Sequence, residues 1–266
     1  MKKGKPFLEI FASAVHEDYR FPILELFAFL YTLGTFGFAA IASLSGVGAK
    51  ADDMWIFMLI SSLMGTPLFV FLISIFKNIA YGLGGDLEKG TIQTLLSYPL
   101  KRRSMLTAKL LSALGVSALL FFGIQLTALL IIAPATILPN IGIVLLTYTA
   151  NFGYVLLLSA IILLVTLLVK KGGIGLVMGI VVYFAINIST ALITFVAIAT
   201  GSNLPLQIIS MLNPGTALSA YFGFLFSGVS WTPGLIEAAL YVLCNYVITV
   251  ALFSIVYVYF SRRLSI

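Results

Sequence analysis

Charged side chains are scarce in this chain. Lys and Arg together number 15 and Asp and Glu 9, only 9% of 266 residues, while apolar residues make up 61% and the mean hydropathy is +1.14. A soluble domain carries about 25% charge to coat its surface, so a water-soluble fold is excluded. Cysteine is limited to Cys244, which rules out a disulfide framework and a thiolate metal site. The lone histidine, His16, leaves no partners for a histidine-dependent nucleophile. All four aspartates (Asp18, Asp52, Asp53 and Asp86) fall outside the apolar runs, so intramembrane aspartyl chemistry lacks its acids. The net charge of +6 is too small and dispersed to mark a nucleic-acid surface. A chain with these gaps is expected to be no enzyme itself, and to hold no catalytic residue, metal or cofactor.

What it has instead is long apolar runs. Six are long enough to cross a hydrocarbon core, at about residues 21–44, 54–80, 105–133, 140–169, 173–200 and 237–260. Residues 216–230 are also apolar but short, in a region broken by Pro205, Pro214 and Pro233, and read as a re-entrant or interfacial piece within an outer segment at 201–236. With the N-terminus inside, all Lys and Arg except Lys50 fall on the cytoplasmic side, the asymmetry expected of inner loops. A seventh span would put Arg262 and Arg263 outside. The N-terminus is no cleavable signal, because Glu9, His16, Glu17, Asp18 and Arg20 interrupt any apolar core. The expected fold is therefore an all-α membrane protein with six transmembrane helices in one domain over 21–266. Both termini are expected in the cytoplasm, with the plasma membrane as its location. No internal repeat suggests an inverted two-fold architecture. Gly175 and Gly179, four apart, suit close helix approach.

Two segments are not membrane. Within residues 1–20, Phe7, Leu8, Phe11, Ala12, Val15 and Tyr19 share one helical face, with Glu9, Ser13, His16, Glu17 and Arg20 turned away. Pro6 suits the first turn of an amphipathic helix lying on the inner leaflet. The second segment, 84–103, joins the second and third spans. Asp86 is placed to be an N-cap, and Ile92, Leu95, Leu96 and Pro99 follow at i, i+3, i+4 and i+7 as an apolar ridge. Arg102, Arg103 and Lys109 then mark the membrane boundary. Such a short helix suits a groove on a cytoplasmic protein. Gly85 and Gly90 have P-loop spacing, but no lysine follows Gly90, and Asp86 and Glu88 would repel a phosphate. If ATP powers this protein, another chain binds it.

The run EKGTIQTLLSYPLKRRSMLTAK, Glu88 to Lys109, resembles the signature of type-2 ABC transporter permeases: a glutamate, a Gly-Thr pair, a leucine-rich turn, a proline, one or two arginines and a lysine entering the third span. The matching positions are Glu88, Gly90, Thr91, Leu95, Leu96, Pro99, Arg102 or Arg103, and Lys109. The resemblance implies a permease subunit of an exporter, paired with a second permease copy, a homodimer ahead of a heterodimer, and with two copies of a separate cytoplasmic ATP-binding subunit that carries ATP and magnesium. It also implies that the 84–103 loop is a coupling helix. Asp86, Glu88, Gly90 and Thr91 would then meet the ATPase, with Ile92, Leu95, Leu96 and Pro99 forming the packed ridge. The alternative for Glu88 is a solvated acid in a first helical turn, aligned with the helix dipole.

Nothing ionisable lies near the middle of the spans, whereas ion-coupled carriers keep an acid there. Gln125, Asn151, Asn187 and Asn245 are the candidates to line a path, although interhelical hydrogen bonds of about 0.6 kcal/mol are the commoner use of such amides. A mainly apolar path would carry a hydrophobic or amphipathic cargo. Two other classes are open to the same residues: an ATP-independent carrier or channel, and a membrane anchor that recruits a cytoplasmic partner without transport.

Overall fold

A computed structural model describes residues 6–44, 53–96, 101–223 and 231–262 of the protein, and the regular structure among them is all helix, with no strand. α1 (Pro6–Asp18) is followed, across Phe21–Pro22, by α2 (Ile23–Leu44). The second span is α3 (Asp53–Lys77), which runs through a π-helical stretch, Asn78–Gly84, into α4 (Gly85–Glu88). After Gly90, whose φ of 73° lets the chain turn where a side chain would be strained, comes α5 (Thr91–Leu96). The third span is α6 (Arg102–Leu111), a second π-helical stretch, Ser112–Val116, and α7 (Ser117–Ile132). α8 (Pro134–Ile137) leads to α9 (Ile141–Val169), α10 (Gly172–Thr200), α11 (Leu204–Leu212), α12 (Gly215–Tyr221) and α13 (Leu235–Arg262).

Six of these helical stretches are long and apolar enough to cross a membrane, at the positions the apolar runs predict. Direction alternates along the chain, so Lys77, Lys109, Lys170, Lys171 and Arg262 gather at one end of the bundle, hereafter the basic end. α11 and α12 lie at the other, between the fifth and sixth spans. They fall within the predicted outer segment, of which 224–230 lies outside the described residues.

The fourth span, α9, is the most enclosed of the six and packs against α3, α10 and α13. Lipid tails are as apolar as leucine, so helices in a membrane associate through close packing and hydrogen bonds. Glycine makes the close approaches here. A Cβ on Gly179 of α10 would fall 2.5 Å from Ile162 Cδ1 of α9, and one on Gly175 would fall 2.6 Å from Thr166 Oγ1. On the other flank Gly34 of α2 makes room for the Pro67 ring of α3, 3.0 Å from where its Cβ would sit. Phe71 and Phe121 stack with centroids 4.6 Å apart, and Tyr31 meets Phe121 edge-on.

Candidate functional site

The polar groups of the described residues concentrate at the basic end, where α1, the second span and the third span meet. Both spans widen there into π-helix, and a π turn displaces carbonyls from the regular hydrogen-bond ladder. In the third span Tyr19 fills this role: its hydroxyl lies 3.0 Å from Ala113 O and 3.2 Å from Ser112 O as donor, and accepts from Ser117 N–H at 3.2 Å. Ser117 Oγ is 2.8 Å from that hydroxyl and 2.8 Å from Ser74 Oγ, which carries the chain of hydroxyls into the second span. In the second span the Lys109 ammonium donates to Gly82 O at 3.2 Å. The π stretches are thus held open by side chains from neighbouring elements.

Asp18 is the other anchor. It is 5% exposed, and its Oδ2 accepts from Ser112 Oγ at 2.6 Å. Its backbone carbonyl accepts from Lys77 Nζ at 2.7 Å, and Lys77 also donates to Asn78 Oδ1 at 2.9 Å. Burial pushes the Asp18 carboxyl up to about 6, opposed by the Ser112 hydrogen bond and the Lys77 and Lys109 charges. Burial likewise pushes the Tyr19 hydroxyl up to about 12. Asp18, Asn78 and Lys109 line a cavity of about 10 Å³, the least that would hold one water.

The inward face of α1 follows its periodicity in part, with Phe7, Phe11 and Val15 half-buried, Tyr19 buried and Glu9, Ser13, His16, Glu17 and Arg20 exposed, but the buried stripe is shifted toward Ala14 and Asp18. Leu8 is 55% exposed and Ala12 exposed, while Ala14 and Asp18 are buried with Tyr19. A helix lying on a membrane has two apolar surroundings, lipid and the bundle, and the hydrophobic pattern alone does not say which face takes which.

The loop between the second and third spans departs from expectation at Asp86. It is no N-cap, because the second span continues helically through it and no helix starts there. It is buried and forms an ion pair with Lys109, whose ammonium also lies 3.8 Å from Glu17. Lys109, expected at the membrane boundary, is turned inward, while Arg103 is exposed. Glu88 accepts a hydrogen bond from Gly172 N–H, the first residue of α10, at 3.2 Å. Ile92 is fully buried and Thr91 exposed. Leu95 and Leu96 lie on α5, but their side chains are outside the described residues, as is Pro99.

A family model for ABC-2 family transporter protein matches residues 80–263. The chain belongs to the ABC-2 transporter family. No curated protein matches it closely. In an ABC-2 permease the chain is the transmembrane subunit and not the ATP-binding one. The match opens inside the π stretch of the second span and runs through the sixth, so it takes in Asp86, Glu88 and Lys109, while α1 and α2 precede it.

Within this multi-pass membrane protein the four mid-depth amides are all engaged. Gln125 is fully buried; it donates to Thr35 Oγ1 at 2.7 Å and Leu63 O at 3.0 Å and accepts from Tyr148 O–H at 3.1 Å, which ties the first four spans together. Asn245 donates to Leu212 O at 2.9 Å at the end of α11. Asn187 donates to the Tyr154 hydroxyl at 3.1 Å and to Tyr183 O one turn back, and Asn151 donates to Thr147 O in its own helix. None of these hydrogen bonds joins one of the four to another. Asp18, Tyr19, Lys77 and Asn78 were missed as site residues. A signal existed: Asp18 and Tyr19 lie four residues beyond Ala14 and Val15, so they share their stripe of α1.

Proposed function

We propose that this ABC-2 permease is the membrane subunit of an ATP-driven exporter. Its partner is a separate cytoplasmic ATP-binding subunit, present in two copies and carrying ATP and magnesium, and the permease pairs with a second copy of itself. The plasma membrane holds it with both termini in the cytoplasm, where the basic end meets the partner. Its cargo is hydrophobic or amphipathic, in keeping with spans whose amides are occupied by hydroxyls and backbone carbonyls of the bundle.

One observation carries this reading. The short α4–α5 segment lies at the basic end, tied to the third span through Asp86 and Lys109 and to the fifth through Glu88 and Gly172. A surface element fastened to two spans is suited to pass force inward. Thr91 is exposed on it and available to a docking protein. Gly90 and Thr91 are the proposed contacts, with Leu95, Leu96 and Pro99 completing the ridge.

The test is affinity purification of the chain in mild detergent from its own cells, with mass spectrometry of what accompanies it and assay of MgATP hydrolysis. A P-loop ATPase should co-purify, and Thr91→Arg should release it while leaving the permease folded. Purification of the chain with no nucleotide-binding protein, under conditions that preserve α1 packing, would count against the proposal.

A further inference from the structure

The joint between α4 and α10 is built more closely than a docking surface requires. Residues 170–171 alone separate the fourth and fifth spans, Lys170 taking φ 56° to end α9 and Lys171 extended before α10. The first N–H groups of a helix have no partner within it, and Lys171 supplies no side-chain cap. Glu88, from a segment 84 residues earlier, supplies the acceptor through its Oε2 on Gly172 N–H. Its negative charge also suits the positive end of the helix dipole.

Beneath this cap the two backbones touch. A Cβ on Gly84 would lie 3.0 Å from Gly172 Cα and 2.7 Å from Thr166 Cγ2, and one on Gly172 would lie 2.9 Å from Ala80 O and 3.3 Å from Gly85 N. Both glycines are buried. Backbone against backbone has no rotamer to yield, so displacement of one element presses directly on the other.

We infer that Glu88 and the Gly84–Gly172 contact clamp the α4–α5 segment to the head of the fifth span, so that the two move as one body. Glu88 is then a positioning residue: it faces the permease's own helix and fixes how docking force enters the bundle. This rests on the docking role proposed for the segment, and it assigns the fifth span as the helix that follows.

The experiment places nitroxide labels through Lys89→Cys and Val181→Cys, both exposed positions, in a Cys244→Ser background, and measures their distance by pulsed electron paramagnetic resonance in lipid nanodiscs. With Glu88 present the distance distribution should be narrow, and it should stay in place when the complex with its co-purified ATPase is trapped with MgATP and vanadate. Glu88→Ala should lose the narrow peak, and Glu88→Gln, whose amide oxygen still accepts from Gly172, should restore it at an unchanged unfolding temperature. An Ala variant indistinguishable from the parent, or a parent distance that shifts on trapping, would overturn the clamp. So would unfolding temperatures lowered alike in both variants, which would make Glu88 merely structural. Failure of any ATPase to co-purify sinks the docking reading instead, and the nucleotide-free comparison of the three proteins still decides the clamp.

Discussion

The two ends of the bundle are held together by different chemistry. At the basic end α1 and the loop segment are fastened by ionisable groups: Asp18, Glu17 and Asp86 set against Lys77 and Lys109, with Tyr19 seated in a π turn. At the opposite end α11 and α12 are held by an apolar cluster that includes Phe57, Leu206, Leu218, Phe222 and Trp231, and by the neutral bond from Asn245 to Leu212 O at 2.9 Å. Charge–charge contacts respond to pH and to the loss of one partner, whereas apolar packing and amide bonds do not titrate. The contrast teaches that the end proposed to receive force is adjustable and the far end is a fixed closure.

The largest effect should come from splitting the buried ion pair. Asp86→Ala removes the ion-pair partner of Lys109 and leaves it Glu17 at 3.8 Å and the nearby Asp18 carboxyl, and removing one member of a buried pair costs about 3–5 kcal/mol. The double variant Asp86→Leu with Lys109→Met should recover most of the loss, read as unfolding temperature in detergent. Equal destabilisation by the single and double variants would remove the pair from the account.

Next comes packing between the fourth and fifth spans. Gly179→Val overpacks against Ile162 and Phe76 and should cost about 1–3 kcal/mol by the same measurement. Gly37→Val, at a position where nothing lies within 4 Å of the added Cβ, is the matched control and should cost much less.

The pH response separates the two ends directly. Burial raises the Asp18 carboxyl from 3.8 to about 6, so the folded state holds its proton more tightly than the unfolded chain does. The penalty of burying the charge is present above about 6, falls as the pH drops through that value, and is gone below the unfolded value. Docking of α1 should therefore tighten between pH 7.5 and 5 by on the order of 1 kcal/mol. Asp18→Asn should flatten this slope. Hydrogen exchange of residues 10–19 reads the basic end, and exchange of 204–221 serves as the non-titrating comparison. A matching pH slope at both ends would erase the contrast.

The smallest effect is expected at the closed end. Asn245→Ala removes the bond to Leu212 O, for which interhelical values of about 0.6 kcal/mol apply, and its effect should be the same at pH 5 and pH 7.5.

Much of this architecture was legible in the amino-acid order. The spans were readable because a backbone in lipid must satisfy its own hydrogen bonds, so apolar runs of the right length have helix as their outcome. Glycines four apart in α10 announced a close approach, and Gly175 and Gly179 lie against Thr166 and Ile162 of α9. The site was less legible. Asp86 looked like a cap because an acid before an apolar ridge usually starts a helix, but helix continuing from the second span left no start there. Glu88 looked like a partner contact or a solvated acid; its bond to Gly172 joins positions 84 apart, and no local pattern carries that.

Length of apolar run and the scarcity of charge within it settled by themselves that this is a six-span all-α membrane protein, since each follows from the cost of putting charge or bare backbone into hydrocarbon. Which face of α1 meets the bundle, which acids pair inward and which helix Glu88 caps were decided only by the tertiary structure. Those choices depend on where distant segments come to lie when the spans pack, and several arrangements satisfy the same local hydrophobic pattern.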